Sequence, residues 1–201
     1  MSENSIFRQL DRPWLYRLAQ TLLAPGAEQL THQQIQRLLS QLPGGEQILD
    51  VGCGPASWLW RVGLHPVGLD ISRTYSMAFK QSGDPAVTAS TDALPFPDAS
   101  YGGVWSIGML HHLPDDVAWQ AVREIVRVSR PGGYVVIFDA VFPSVAWRKP
   151  LAWAIRRIDR GRFVRSQQEM EQLLPSRERW SIERCPYSYN GLEILTCWLI
   201  Q

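Results

Sequence analysis

Strand-length apolar runs and helix-spaced apolar stripes alternate along most of this chain. The runs at 47–51, 66–69, 87–90 and 104–107 are short and largely apolar. The run at 134–138, Tyr-Val-Val-Ile-Phe, is unbroken, which marks a strand covered on both faces. Between the runs the period changes. Over 114–129, Val117, Ala121, Ile125 and Val128 repeat at helical spacing. Asp115 and Asp116 stand in the first turn and Arg127 and Arg130 near the end, as the helix dipole favours. A shorter helix is expected over 73–80. Ile35, Leu38, Leu39 and Leu42 make another stripe, with Thr31 as its expected cap and Pro43-Gly44-Gly45 as its stop. Earlier, Ile6, Phe7, Leu10, Trp14, Leu15, Leu18, Leu22 and Leu23 keep a similar spacing, divided at Pro13 and ended by Pro25-Gly26. Residues 140–178 read as irregular, and 180–185 and 192–198 as two strands around Asn190-Gly191. Strands alternating with helices predict an α/β fold.

The stretch Ile48-Leu49-Asp50-Val51-Gly52-Cys53-Gly54-Pro55 carries the first chemical signal. A buried strand breaks at a glycine turn, and Ala56, Leu59, Trp60 and Val62 then suggest a helix. Gly52 and Gly54 let a ligand approach the main chain closely. Twenty residues past Asp50 the second strand ends in Asp70, placed to accept from both hydroxyls of a ribose. A dinucleotide fingerprint would require a third glycine where Ser57 stands. Asp50 would also oppose a pyrophosphate, but suits a ligand that carries an ammonium group. A nicotinamide-dependent oxidoreductase is disfavoured on both counts.

The stretch 48–57 resembles motif I of the class I S-adenosylmethionine-dependent methyltransferases. The resemblance continues through 67–72 (VGLDIS), 91–100 (TDALPFPDAS), 104–115 (VWSIGMLHHLPD) and 129–139 (SRPGGYVVIFD). These motifs look most like those of the small-molecule enzymes that include ubiquinone and menaquinone biosynthesis methyltransferases. The resemblance implies a Rossmann-like, mostly parallel seven-stranded sheet with helices on both faces and a C-terminal antiparallel hairpin. It implies one domain over 1–201: a helical lid over 1–45, a cofactor core over 46–140, a substrate or lid insertion over 141–178 and the hairpin over 179–201. The implied cofactor is S-adenosyl-L-methionine. Gly52 and Gly54 would pass its methionine and ribose portions, and Asp50 would order its ammonium. Asp70 would take the ribose hydroxyls and Ile71 would pack on adenine. Asp92 and Ala93 would meet the adenine edge, and Ile107 the methionine end. Ala56 stands where a glycine is frequent. Tyr101 is followed by Gly102 and Gly103 rather than by the acid the family often has, which points to a less rigid entry to the fourth strand.

Methyl transfer requires a base only where the acceptor must lose a proton. His111 and His112, at the exit of the fourth strand, are the candidates for catalysis, His111 first; a structural role in the loop is the competing reading. From Arg148 to Arg165 there are seven basic residues against a single acid, Asp159. Helical spacing puts Trp147, Leu151, Ala154, Ile155 and Ile158 on one side, and Lys149, Arg156, Arg157 and Arg160 on the other. Arg156, Arg157 and Arg160 are therefore candidate substrate contacts for an anionic or lipid-linked acceptor. Peripheral contact with an anionic membrane and a merely solvated face are the other readings. Trp14, Tyr16 and Arg17 are the expected lid contributors.

Composition narrows the field further. A formal net charge of +1 provides no global field for nucleic acid. The family's nucleic-acid enzymes usually carry an Asn/Asp-Pro-Pro-aromatic tetrapeptide after the fourth strand, and Ser106-Ile107-Gly108-Met109 is not one. Cys53, Cys185 and Cys197 have neither metal-ligand nor disulfide spacing, so no metal is expected. No apolar run is long enough to span a membrane, no secretion signal is evident, and a cytoplasmic location is expected. A binding domain that keeps the cofactor without turning it over is the remaining alternative.

Overall fold

The computed structural model describes residues 23–44, 47–157 and 161–201. The expected helices over 6–22, the lid residues Trp14, Tyr16 and Arg17, and Arg160 lie outside the described residues. The parallel strands are β1 (Ile48–Val51), β2 (Val67–Asp70), β3 (Ala86–Thr88), β4 (Tyr101–Ile107) and β5 (Ser129–Val141). A terminal pair follows, β6 (Ser181–Pro186) and β7 (Glu193–Ile200). The order is β3-β2-β1-β4-β5-β7-β6, so strand order reverses between β1 and β4. β7 runs antiparallel between β5 and β6. This is the seven-stranded Rossmann-like sheet that the motifs imply.

Side-chain alternation sorts the core into two layers. Leu49, Val51, Val104, Val135 and Ile137 point to one face, where they meet Ala118, Ala121, Val122 and Ile125 of α3 (Asp115–Val128). Ile48, Trp105, Val136 and Phe138 point to the other, against Ile35 and Leu38 of α1 (Ala27–Leu39) and Leu59. The central strands are thus covered on both sides, as their unbroken apolar runs require.

Several local expectations are corrected. α1 starts at Ala27 with Gly26 at its N-cap, so Thr31 is a buried helical residue rather than a cap. The segment after the glycine turn is a 3₁₀ turn, Trp58–Val62, not an α-helix. Ser57 is already committed there: its hydroxyl accepts from Leu59 N–H and donates to Asp50. α2 (Arg73–Gln81) forms as expected, capped by Ser72. Residues 140–178 hold a 3₁₀ turn at Ala146–Arg148, α4 (Pro150–Arg157), α5 (Gln167–Gln172) and a second 3₁₀ turn at Arg177–Arg179. The expected sides of α4 are also broken up, with Ile155 packed inward and Arg157 exposed. Leu151 and Ala154 face outward, while Ala152 and Arg156 are buried.

Tyr101-Gly102-Gly103 is not a loose entry to β4. All three residues are buried in the strand, with a register shift between Tyr101 and Gly103. A Cβ on Gly103 would lie 2.6 Å from Tyr134 Cζ and Oη, so the glycine is what lets the Tyr134 ring lie across β4. Trp105 meets that ring edge-on, with centroids 6.1 Å apart, and its indole N–H points to the Tyr134 oxygen at 3.4 Å. Gly103→Ala forces this aromatic pair apart. It should destabilise the fold by about 1–3 kcal/mol, read as a lowered midpoint in denaturant with an unchanged slope.

Candidate functional site

The carboxyl ends of β2, β1, β4 and β5 lie side by side, and each delivers a residue to the same edge of the sheet. Ligands of open α/β sheets bind beyond such an edge, where strand order reverses. At β1, Asp50 is 3% exposed and accepts from the Ser57 hydroxyl at 2.5 Å. It forms no salt bridge among the described residues, and its other oxygen is engaged by none of them. Burial, the largest cause, and the neighbouring Asp70 charge together push its pKa up to about 6, although the Ser57 bond lowers it. The site therefore holds a carboxylate that is ionised at neutral pH without a cation beside it.

Asp70, at the end of β2, is nearly as buried. One of its oxygens accepts from Gly54 N–H at 2.9 Å and the other from Ser72 N–H at 2.8 Å. Those bonds tie the glycine turn to the start of α2 and hold the carboxylate in one orientation. A carboxylate has about four acceptor positions, so capacity remains for a ligand's hydroxyls. The turn's backbone is left-handed at both Gly52 (φ 75°) and Gly54 (φ 61°). A Cβ on Gly52 would stand 2.4 Å from Met109 Cγ, whereas one on Gly54 would meet nothing within 4 Å. Gly52 is thus required for packing, and Gly54 borders open space. Immediately after Asp70, Ile71 is 72% exposed, an apolar platform beside the carboxylate.

The loop after β3 is held in place by α3. Leu94 N–H donates to Glu124 at 2.9 Å. Arg127 donates to the carbonyls of Phe96 (2.9 Å) and Leu94 (3.1 Å) and to Glu124 and Asp98. Asp92 accepts from Ser90, and Ala93 is exposed beside it. Both stand on a pinned loop, and Ile107 ends β4 one residue before the left-handed Gly108.

His111 lies in a 3₁₀ turn after β4 (Leu110–His112), and its Nδ1 is 2.6 Å from Asp139 Oδ1 of β5. Asp139 also accepts from Leu110 N–H (2.6 Å) and Ala140 N–H (2.7 Å). Burial alone would raise its pKa. The His111 charge and hydrogen bond and the two backbone donors outweigh burial, and hold it below the usual carboxylate range. An ionised Asp139 places a proton on Nδ1 of His111, which makes Nε2 the basic nitrogen of the neutral ring.

The insertion between β5 and β6 packs directly on this loop. Phe163 N–H donates to the His111 carbonyl at 3.0 Å. A Cβ on Gly161 would stand 2.0 Å from His111 Cδ2. Arg165 is buried and donates to the carbonyls of Leu110 (2.8 Å) and Leu113 (2.7 Å) and to Asp115. Arg156 is buried too and donates to the Glu193 carbonyl at 2.8 Å, while Arg157 stays exposed. The structure therefore brings Asp50, Gly52, Gly54, Asp70, Ile71, Ile107 and His111 to one edge, and divides the basic segment, with Arg165 on the His111 loop, Lys149 and Arg156 on Glu193, and Arg157 exposed. Asp139, Arg127, Glu124 and Arg165 were missed by the sequence reading. Glu124 and Arg127 pair with each other at helical spacing, but the groups that they, Asp139 and Arg165 hold in place lie 28 to 55 residues away, so no local spacing reveals these roles. Among the described residues no group of three or more His, Cys, Asp or Glu could hold a metal ion. None of the described helices is long and apolar enough to cross a membrane.

A family model described as a methyltransferase domain matches residues 49–137. The 27-O-demethylrifamycin SV methyltransferase of Amycolatopsis mediterranei is 34% identical over 149 residues, covering 67% of this chain and 54% of that protein. A tRNA (carboxymethyluridine(34)-5-O)-methyltransferase of Arabidopsis thaliana is 35% identical over 109 residues, covering 52% of this chain and 26% of that protein. The chain thus spans about half, or less, of the length of these relatives. An S-adenosylmethionine-dependent methyltransferase from Thermotoga maritima shares the fold at TM-score 0.71 and 14% identity, covering 97% of this chain and all of that one. From the shared fold, the matched core and these relatives, the chain belongs to the class I S-adenosylmethionine-dependent methyltransferases.

Proposed function

We propose that this chain transfers the methyl group of S-adenosylmethionine to a small-molecule acceptor bound beside His111. The observation that carries the reading is the buried, cation-free carboxylate of Asp50 next to the preset carboxylate of Asp70. The cofactor has an ammonium group for the first and ribose hydroxyls for the second. Ile71 gives its adenine an apolar face, the loop at Asp92 and Ala93 meets the adenine edge, and Gly54 leaves room for the chain between. Ile107 flanks the methionine end. NAD offers Asp50 no ammonium donor, since its cationic nicotinamide nitrogen carries no N–H, and it brings a pyrophosphate toward two carboxylates.

The reaction is in-line attack by an acceptor lone pair on the sulfonium methyl carbon. The new bond forms as the carbon–sulfur bond breaks, and the sulfur keeps the electron pair. Proximity and alignment provide most of the acceleration. Where the nucleophile is a hydroxyl or an amine that must lose a proton, His111 Nε2 takes it and Asp139 stabilises the imidazolium that forms. The segment 161–165, lying on the His111 loop, forms part of the acceptor's enclosure, in keeping with a substrate role for the 141–178 insertion. Incubation with methyl-labelled S-adenosylmethionine against metabolite pools and against total tRNA tests the reading. Label in a small molecule supports it. Label only in RNA overturns the acceptor class, and no label anywhere favours a binding protein without turnover.

Asp70→Ala should weaken both S-adenosylmethionine and its demethylated product by about ten- to a hundredfold, since each loses hydrogen bonds to a charged acceptor. Unchanged affinity in a calorimetric titration would remove the ribose from Asp70.

Asp50→Asn should have opposite effects on stability and binding. Because the folded pKa (about 6) lies above the unfolded value (3.8), burying the charged form costs stability fully above pH 6 and not at all below 3.8. The amide keeps an acceptor for Ser57 and removes that cost. The unliganded variant should be more stable than the parent by roughly 1–3 kcal/mol near neutral pH, with the gain gone in acid, and should lose cofactor affinity. Melting curves across pH, with and without cofactor, read both effects.

His111→Ala should slow turnover by about 10²–10⁴ on an acceptor that must be deprotonated, with cofactor affinity nearly intact. A fully active variant would return His111 to a structural role in its loop.

A further inference from the structure

Helix α4 and the 3₁₀ turn before it leave a tryptophan and a leucine exposed to solvent. Trp147, in the 3₁₀ turn, is 77% exposed, and Leu151, in the first turn of α4, is 60% exposed with Ala154 exposed beyond it. The opposite side is anchored to the sheet. Ala152 is fully buried against Ala24, Ala27 and Leu192. Lys149 reaches the Glu193 carboxylate at 2.6 Å and Arg156 the Glu193 carbonyl at 2.8 Å. The cations expected to project outward at 149 and 156 thus hold the helix down, and a tryptophan and a leucine four residues apart in sequence project instead.

The exposed apolar side has cations beside it. Arg148 lies over the Trp147 ring at 5.0 Å and Arg157 over the Trp153 ring at 4.5 Å. Neither forms a salt bridge among the described residues, in contrast to Lys149 with Glu193 and Arg165 with Asp115. Exposed apolar side chains grouped in this way mark interaction surfaces, and the combination of tryptophan, leucine and arginine on one short amphipathic element matches the headgroup boundary of a bilayer. Charge decides what covers this face. Residues 1–22 hold the acids Glu3 and Asp11 against Arg8, Arg12 and Arg17, so they present no net negative charge to these cations. A second copy of the chain would bring the same cations.

We propose that the exposed face formed by α4 and the 3₁₀ turn before it docks on an anionic lipid bilayer. Trp147 and Leu151 enter the headgroup boundary, and Arg148 and Arg157 meet lipid phosphates. The proposal rests on this face alone and stands without the methyl acceptor being known. Sedimentation of the full chain with vesicles tests it. Vesicles of mixed phosphatidylglycerol and phosphatidylcholine should carry the protein down, and pure phosphatidylcholine vesicles should not. Arg148→Gln with Arg157→Gln should lower the partition coefficient on the order of thirtyfold at low salt, about fivefold for each cation. Added salt should mimic this loss. Trp147→Ala with Leu151→Ser should abolish sedimentation. Because all four side chains are exposed, both double variants should keep the parent's melting midpoint and cofactor affinity. Parent protein that stays in the supernatant with anionic vesicles, or variants that sediment like it, would overturn the proposal. A dimer in solution that Trp147→Ala with Leu151→Ser dissociates would assign the face to a second copy instead.

Discussion

A carboxylate buried without a counter-cation is the constraint around which this molecule is arranged. Asp50 stands at the end of the central strand β1 with Ser57 as its hydrogen-bond donor and Asp70 as its charged neighbour. Removing a charge from water and placing it beside a like charge costs stability, and only a large, well-packed sheet can carry such a cost. The two-sided core provides that support. Strands β1, β4 and β5 are covered by α1 and the 3₁₀ turn on one face and α3 on the other. The costly charge is thus placed on a strand that is covered on both faces. In the proposed function the cost is recovered when the cofactor's ammonium group binds, and the unfavourable charge then favours an ammonium over other groups.

The remaining features of that edge keep the acceptors in place before a ligand binds. Asp70 is oriented by Gly54 and Ser72, the loop after β3 by Arg127 and Glu124, and His111 by Asp139. Each of these carboxylates is set by backbone or cationic donors from a neighbouring element. Binding therefore need not order them, which reduces its entropic penalty. Arg165 extends the same logic to the insertion, where one buried guanidinium joins the β5–β6 segment to the carbonyls around His111. The insertion and the strand-end edge are thus joined through the His111 loop.

How much of this was legible in the sequence follows from the range of the interactions concerned. The strands, the glycine turn and the acids at 50 and 70 are local patterns of period and spacing, and they were readable. The 3₁₀ turn at Trp58–Val62 was not, because Ser57 spends its hydroxyl on Asp50, seven residues back, as well as on the turn. Asp139 reads as the end of an apolar run, and its tie to His111 spans 28 residues. Arg156 and Arg165 look like surface cations in a basic stretch. They are buried because their acceptors, 37 and up to 55 residues away, come together only in the folded sheet. Helical periodicity gave two sides for α4 but no means to say which one faces in; Glu193 settles that by holding Lys149.

The central claim, that a cation-free Asp50 awaits the cofactor's ammonium, is tested most directly by calorimetric titration in buffers of different ionisation heat. S-adenosylmethionine and its demethylated product should bind and NAD should not. A cation beside Asp50 lowers its pKa, so binding near pH 6 should release protons to the buffer, and the release should fade by about pH 8, where Asp50 is already ionised. Cofactor binding with no proton release near pH 6, or NAD binding as tightly as S-adenosylmethionine, would contradict the account.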